Sequence, residues 1–159
     1  AMHEVIKEFN GHILNYIGDS IMVVFGAPEK LKNHENQAVK CSLKMKEKLK
    51  ELNHKWDEDE TSRYWKNHDI ESITMRIGIH TGSVIAGNLG SQEMLQYSTI
   101  GDTVNVSARL EQANKEFNTE ISFSHEIYTA LTKELYEQSS LSGEITLKGR
   151  TTPTKVYSI

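Results

Sequence analysis

The run Gln96-Tyr-Ser-Thr-Ile-Gly-Asp-Thr-Val-Asn-Val-Ser-Ala-Arg-Leu-Glu111 most restricts what this chain can fold into, because its period changes partway along. β-branched and aromatic residues up to Ile100 read as a strand, Gly101-Asp102 punctuates, and helical spacing follows. A strand fed by so short a turn into a helix commits the chain to a mixed architecture in which sheet and helix pack together. Asp102 or Thr103 is expected to cap that helix by accepting a free backbone N–H of its first turn. Val106, Leu110 and Ala113 predict one buried stripe, with Val104, Ala108 and Glu111 beside it. Asn105 and Arg109, four apart, share another face. An amide beside a guanidinium suits an anionic, phosphate-like ligand, since both donate hydrogen bonds and the guanidinium does so as a fork. A solvated polar helix face is the ordinary alternative.

Upstream, Val5, Ile6 and Phe9 have helical spacing over Met2 to Asn10 and stop at Asn10-Gly11, a C-terminal signal. His12–Tyr16 and Ile21–Phe25 are β-prone runs that predict a hairpin with its tight turn at Gly18-Asp19. Asp19 at such a tip is ordinarily a turn former; held out on a rigid turn, it can also ligate Mg²⁺ through oxygen. A long amphipathic helix is expected over Asn33–Trp56, its Lys40, Lys44, Lys48 and Lys55 forming a solvated face among glutamates. Residues 57–69 are acidic and aperiodic and read as a loop or insertion, with Tyr64 and Trp65 to tack it down. Strands are expected at Ile73–His80 and Ser83–Ala86, joined at Thr81-Gly82, with a break at Gly87–Gly90. Beyond the central helix come a strand at Glu120–Phe123, a helix from Ser124 to Glu134, and closing strands at Glu144–Leu147 and Lys155–Ile159. Lys148-Gly149-Arg150 lies between those last strands, either a soluble turn or a phosphate clamp.

Strands interleaved with helices but also joined by hairpins predict an α+β sandwich, helices on one face of a largely antiparallel sheet. At 159 residues one domain over the whole chain is expected. A net charge of −4 argues against nucleic acid as partner. Cys41, the sole cysteine, follows Ala38 and precedes Met45, Leu49 and Leu52 on one apolar stripe, so it reads as a small buried hydrophobe. No apolar run approaches a membrane span and no signal-peptide core is present, so no direct membrane contact and a cytoplasmic location are expected, possession of a larger, membrane-attached parent being compatible with both. Ala1-Met2 reads as the start of a segment cut from something longer. The seven His form no H-x-x-x-H or Cys/His cluster, which speaks against zinc and for a structural His80. Phosphate-loop, dinucleotide-binding and nucleophile-elbow patterns are also missing from the sequence.

Four stretches then come together: Asn15-Tyr-Ile-Gly-Asp19-Ser-Ile-Met-Val-Val-Phe-Gly26; Arg76-Ile-Gly-Ile-His-Thr-Gly82 with Ala86-Gly-Asn-Leu-Gly90; Tyr97 to Glu111; and Leu147-Lys-Gly-Arg150. In that order they resemble the class III nucleotidyl cyclase catalytic domain, over nearly the whole chain except 57–69. The resemblance implies a ferredoxin-like α+β fold lacking its first strand and helix. It also implies a head-to-tail homodimer with sites at the interface, and conversion of ATP, ahead of GTP, to a 3′,5′-cyclic nucleotide and pyrophosphate. Asp19 matches the second of two aspartates for paired Mg²⁺ or Mn²⁺ ions. Asn105 and Arg109 match the pair that positions ribose and stabilises the transition state, and Lys148 or Arg150 a triphosphate-binding cation.

Two departures from the pattern matter. The family's first metal aspartate, in a strand of the type F-x-D-I-x-G-F-T, belongs before the first residue here, so the 159-residue chain by itself is expected to make little cyclic nucleotide and to leave an apolar sheet edge uncovered. The base-reading positions, Lys with Asp or Thr in adenylate cyclases and Glu with Cys in guanylate cyclases, are Asn15 and Ser98. Both donate or accept, so the lean to ATP rests on the likeness of Ser to Thr. A degenerate regulatory homologue and a diguanylate cyclase-like domain are the other readings; the set Asp19, Asn105, Arg109 opposes the first, and the absence of a G-G-[DE]-E-F run the second.

Overall fold

The computed structural model describes residues 1–91, 94–146 and 153–159. Its helices are α1 (Met2–Glu8), α2 (His34–Glu58), α3 (Arg63–Lys66), α4 (Asp102–Phe117), α5 (His125–Ala130) and α6 (Lys133–Gln138). The strands are β1 (Gly11–Ile17), β2 (Ser20–Phe25), β3 (Ile77–Ile79), β4 (Ile85–Ser91), β5 (Met94–Ile100), β6 (Ile121–Ser124), β7 (Ser140–Ile145) and β8 (Thr154–Ser158). The α+β class is as expected. The strands form three hydrogen-bonded groups, the β1–β2 hairpin, the β4–β5 hairpin and a four-stranded sheet in the order β3-β6-β8-β7. Pairing is antiparallel except between β3 and β6, which run parallel.

Three core clusters join these parts. Val39, Ile79, Ile121, Phe123, Ile127 and Leu135 form one between α2, the four-stranded sheet and the α5–α6 pair. Val106, Leu110 and Val156 form a second under α4. Val5, Ile6 and Cys41 pack with Ile13, Ile21 and Val23 in the third, between α1, α2 and the first hairpin. At 25 residues, α2 is about 37 Å long, long enough to serve both the first and third clusters.

Several elements differ from the sequence reading, each for a traceable reason. The strand expected over Ile73–His80 shrinks to β3, because Asn53 of α2 takes both backbone groups of Ile73: Nδ2 donates to its carbonyl at 2.8 Å and Oδ1 accepts its N–H at 3.0 Å. The hairpin expected at Thr81-Gly82 does not form, since β3 pairs with β6 and β4 pairs with β5. Gly87–Gly90 does not break the chain but lies within β4, each residue matched across to β5, Gly87 opposite Ser98 with open space around it. The helix expected over Ser124–Glu134 is two helices. Leu131 and Thr132 are extended, and buried Asn36 holds the break, donating to Ala130 O at 2.9 Å and accepting the Thr132 N–H at 2.7 Å. Residues 57–69 are not a plain loop: α2 continues to Glu58 and α3 folds back. Trp65 meets Trp56 edge-on at 5.5 Å, whereas Tyr64 is exposed. β7 begins at Ser140, earlier than expected, and Leu147 falls outside the described residues. Asn33 takes a left-handed conformation ahead of α2, and Asn10 does the same after α1.

Candidate active site

The candidate site is built on the β1–β2 hairpin, β5 and the start of α4. Ile17 pairs with Ser20, leaving Gly18-Asp19 as a two-residue turn. Gly18 takes φ 61°, the positive value such a turn wants at its first position, and Asp19 stands exposed at the tip. Asn15 follows a register shift between Ile13 and Asn15, an irregularity of the kind that re-aims a side chain; it too is exposed. β1 and β5 lie alongside one another. Gln96 Nε2 donates to Leu14 O at 3.0 Å, and His12 meets Tyr97 edge-on at 5.5 Å. The strands carrying Asn15 and Ser98 are thereby brought together within one chain. Gln96 was not among the candidates, although its place two residues before Ser98 puts both on one strand face and was the available signal.

From Ile100 the chain turns through Gly101 into α4. Neither Asp102 nor Thr103 is the cap expected: Gly101 is the N-cap, without a side-chain cap bond. Asp102 is instead the first helical residue, and Thr103 Oγ1 donates to Ser83 O at 3.0 Å, pinning the helix start to the segment before β4. Val106, Leu110 and Ala113 are buried as their spacing predicts. Asn105 and Arg109 are both exposed, and the Arg109 guanidinium donates to Gln112 Oε1 at 3.2 Å, a neutral partner; it makes no ion pair among the described residues.

Among the described residues Asp19 and Asn105 make no side-chain hydrogen bond, and no hydrogen bond or ion pair joins the Asp19 turn to the α4 pair. Lys148 and Arg150 lie outside the described residues. The His80 side chain is 5% exposed, with Nδ1 2.8 Å from Ser124 Oγ and 3.8 Å from Glu126 Oε2, a bridge from the end of β3 to β6 and α5 in keeping with a structural residue. No group of three or more His, Cys, Asp or Glu among the described residues is placed to hold a metal ion. An exposed carboxylate such as Asp19 is nevertheless the donor type that Mg²⁺ takes from a protein when phosphates and water complete its shell. A recess of about 180 Å³ lined by Leu49, Asn53, Ile73, Met75 and Ile121 is elsewhere, and none of the candidate residues borders it.

The family model for the adenylate and guanylate cyclase catalytic domain matches residues 1–159. The chain belongs to this family. Adenylate cyclase 1 of Rhizobium meliloti (strain 1021) is 32% identical over 156 residues, 98% of this chain and 22% of that relative's length. Among solved structures, the guanylyl cyclase Cya2 superposes with a TM-score of 0.77 at 28% identity, over 99% of this chain and 73% of that one. The adenylyl cyclase CyaB from P. aeruginosa gives 0.75 at 28% identity, over 99% and 75%. The cyclase fold is thus shared with proteins of either purine preference. No helix among the described residues is long and apolar enough to cross a membrane.

Proposed function

We propose that this cyclase-family chain converts ATP, ahead of GTP, to the 3′,5′-cyclic nucleotide and pyrophosphate in signal transduction. The observation that carries the reading is α4: its inner face is buried in the core while Asn105 and Arg109 stand exposed together, four residues apart, close to the helix start. In the reaction the ribose 3′-oxygen attacks the α-phosphorus in line. The new P–O bond forms as the bond to pyrophosphate breaks, and the hydroxyl proton is released. No protein nucleophile is needed, so the residues work by position and charge. Arg109 donates to the phosphate oxygens as negative charge builds on them, and Asn105 orients the ribose. Asn15 and Ser98, on the neighbouring strands β1 and β5, read the base edge, and Lys148 or Arg150 holds the triphosphate. Asp19 is the oxygen ligand for Mg²⁺ or Mn²⁺; bound ions, two in this reading, supply charge neutralisation and activation of the 3′-hydroxyl.

Among the described residues no hydrogen bond or ion pair ties the Asp19 turn to the α4 pair, which supports a head-to-tail homodimer in which each subunit lends one half of each site. One aspartate is a sparse ligand set for two ions, so turnover by the 159 residues alone is expected to be slow. The test therefore has two arms: cyclic nucleotide formation from ATP and from GTP with Mn²⁺ by this chain, and by the chain extended with a strand bearing a second aspartate. Product in the extended arm that disappears in Asp19→Asn and Arg109→Ala supports the reading. Product insensitive to both changes, or none in either arm, sinks it. A strong GTP preference would overturn the lean to ATP, and Asn15→Lys should strengthen the preference for ATP.

A further inference from the structure

The exposed face of α4 carries the candidate pair, while its buried face is fastened to the sheet at successive turns. Ser107, Glu111 and Asn114, spaced by four and three, fall on one side of the helix; Asn105 and Arg109 lie roughly half a turn round from Ser107. At the first two levels the helix backbone rests directly on Gly78 of β3: a Cβ there would stand 2.2 Å from both Ser107 O and Glu111 N. The Arg76 guanidinium also reaches Glu111 Oε1 at 2.8 Å.

The last level is Asn114, only 1% exposed. Its Nδ2 donates to Ile77 O of β3 at 2.9 Å and is shared with Leu110 O and Glu111 O at 3.2 Å. Its Oδ1 accepts from Thr119 Oγ1 and from Ser122 Oγ of β6, each at 2.8 Å. One amide thus fills all its capacity between the helix, the connection that follows it and two neighbouring strands. The apolar contacts of Val106 and Leu110 are non-directional and resist separation more than sliding, whereas these hydrogen bonds specify angle and distance.

We propose that Asn114 is a positioning residue: it fixes the axial register of α4 on β3 and β6, and so sets where Asn105 and Arg109 stand. The chemical consequence rests on the cyclase reading; the fastening does not. A displacement of about 1 Å in a positioning group can cost on the order of a hundredfold in rate, so a slip of α4 matters more to turnover than to folding.

The test uses the 159-residue chain and compares Asn114→Leu, which keeps the branching at Cγ but removes every one of these bonds, with Leu135→Ala. The latter thins the core cluster at α6, away from that under α4. Thr119→Val, removing a single donor to Oδ1, is the milder arm should Asn114→Leu fail to fold. Amide hydrogen exchange across 102–110 should rise roughly tenfold in Asn114→Leu, less in Thr119→Val, and not in Leu135→Ala. In the chain extended with a strand bearing a second aspartate, with Mn²⁺ and nucleotide, kcat should fall about tenfold or more in Asn114→Leu with KM shifted less than about threefold. Exchange across 102–110 no greater than in Leu135→Ala overturns the proposal whatever turnover does, and so does an unchanged kcat once that segment has loosened. If neither the 159-residue chain nor its extended form makes cyclic nucleotide, or Arg109→Ala turns over as wild type does, it is the cyclase reading that fails, and the exchange comparison alone decides the role of Asn114.

Discussion

Burial pushes the Cys41 thiol up to about 12 from an ordinary 9.0, with the Glu8 carboxylate adding to the effect. The folded protein therefore holds this proton up to about pH 12, while the unfolded chain releases it near pH 9. Unfolding above pH 9 releases a proton, so stability falls as pH rises from there, by at most about 1.4 kcal/mol per pH unit. Denaturant titrations at pH 9 and pH 11 should show wild type losing more than Cys41→Ala, and equal losses would contradict a buried neutral thiol. The same burial should keep Cys41 unreactive to thiol reagents until the protein unfolds. This much could be read from the stripe Ala38, Cys41, Met45. The outward pair on α4 was also legible from spacing, and its surface position separates function from stability. Arg109→Ala and Asn105→Ala should leave the melting curve within about 0.5 kcal/mol of wild type while lowering kcat on the order of a hundredfold in the metal-competent form, the chain extended with a strand bearing a second aspartate. Loss of the fold in either variant would count against an exposed catalytic role. The capping reading failed at this same scale because the Thr103 hydroxyl is claimed by Ser83 O, a partner 20 residues away that no local pattern announces.

Elements ended where distant asparagines caught the backbone. Periodicity correctly found helix after Ser124 and strand near Ile77, but Asn36 and Asn53, both on α2, set the boundaries through contacts 96 and 20 residues apart in sequence. They differ in burial, and that decides their weight. Asn36 is 6% exposed, and removing its amide would strip partners from Ala130 O and the Thr132 N–H, costing about 1–3 kcal/mol. The Asn53 bonds are exposed, water can replace it, and about 1 kcal/mol or less is expected. Thermal unfolding of Asn36→Ala and Asn53→Ala checks the order; the reverse order would show that the 53–73 bracket carries more than its surface position implies. Within that bracket, Trp65 packs on Trp56 yet its indole N–H, buried, finds no partner among the described residues. Polar contacts fasten α3 to α2 beside the aromatic pair, Lys66 Nζ donating to Asp57 Oδ1 at 2.6 Å and the Ser62 N–H to Trp56 O at 2.9 Å, so of the two aromatics in this acidic run only Trp65 tacks it down. β4 was misread for the opposite reason: Gly87 and Gly90 signal a break locally, but a matched antiparallel partner supplies the ladder that their own propensity does not.

At the scale of the whole molecule, the order of elements was legible and their grouping was not, because parallel pairing of β3 with β6 joins segments separated by α4 and leaves no periodic trace. The same holds for the site. Asp19, Asn15, Ser98, Asn105 and Arg109 were readable as residues, but the absence of any hydrogen bond or ion pair between the Asp19 turn and the α4 pair among the described residues is visible only in three dimensions. If two subunits complete each other's sites, defects on opposite halves must complement. In the metal-competent form, Asp19→Asn homodimers have two sites without the metal ligand, and Arg109→Ala homodimers have two without the guanidinium. A mixed dimer places both defects in one site and leaves the other intact. Equal mixing and free exchange make about half the dimers mixed, each with one working site of two, so activity should recover to about a quarter of wild type. Recovery should also vanish on dilution below the dimer dissociation constant, because the intact site exists only while the two chains are associated. Two inactive variants that stay inactive when mixed, while sedimentation shows that they exchange subunits, would place both halves of the site in one chain and rule out the head-to-tail arrangement.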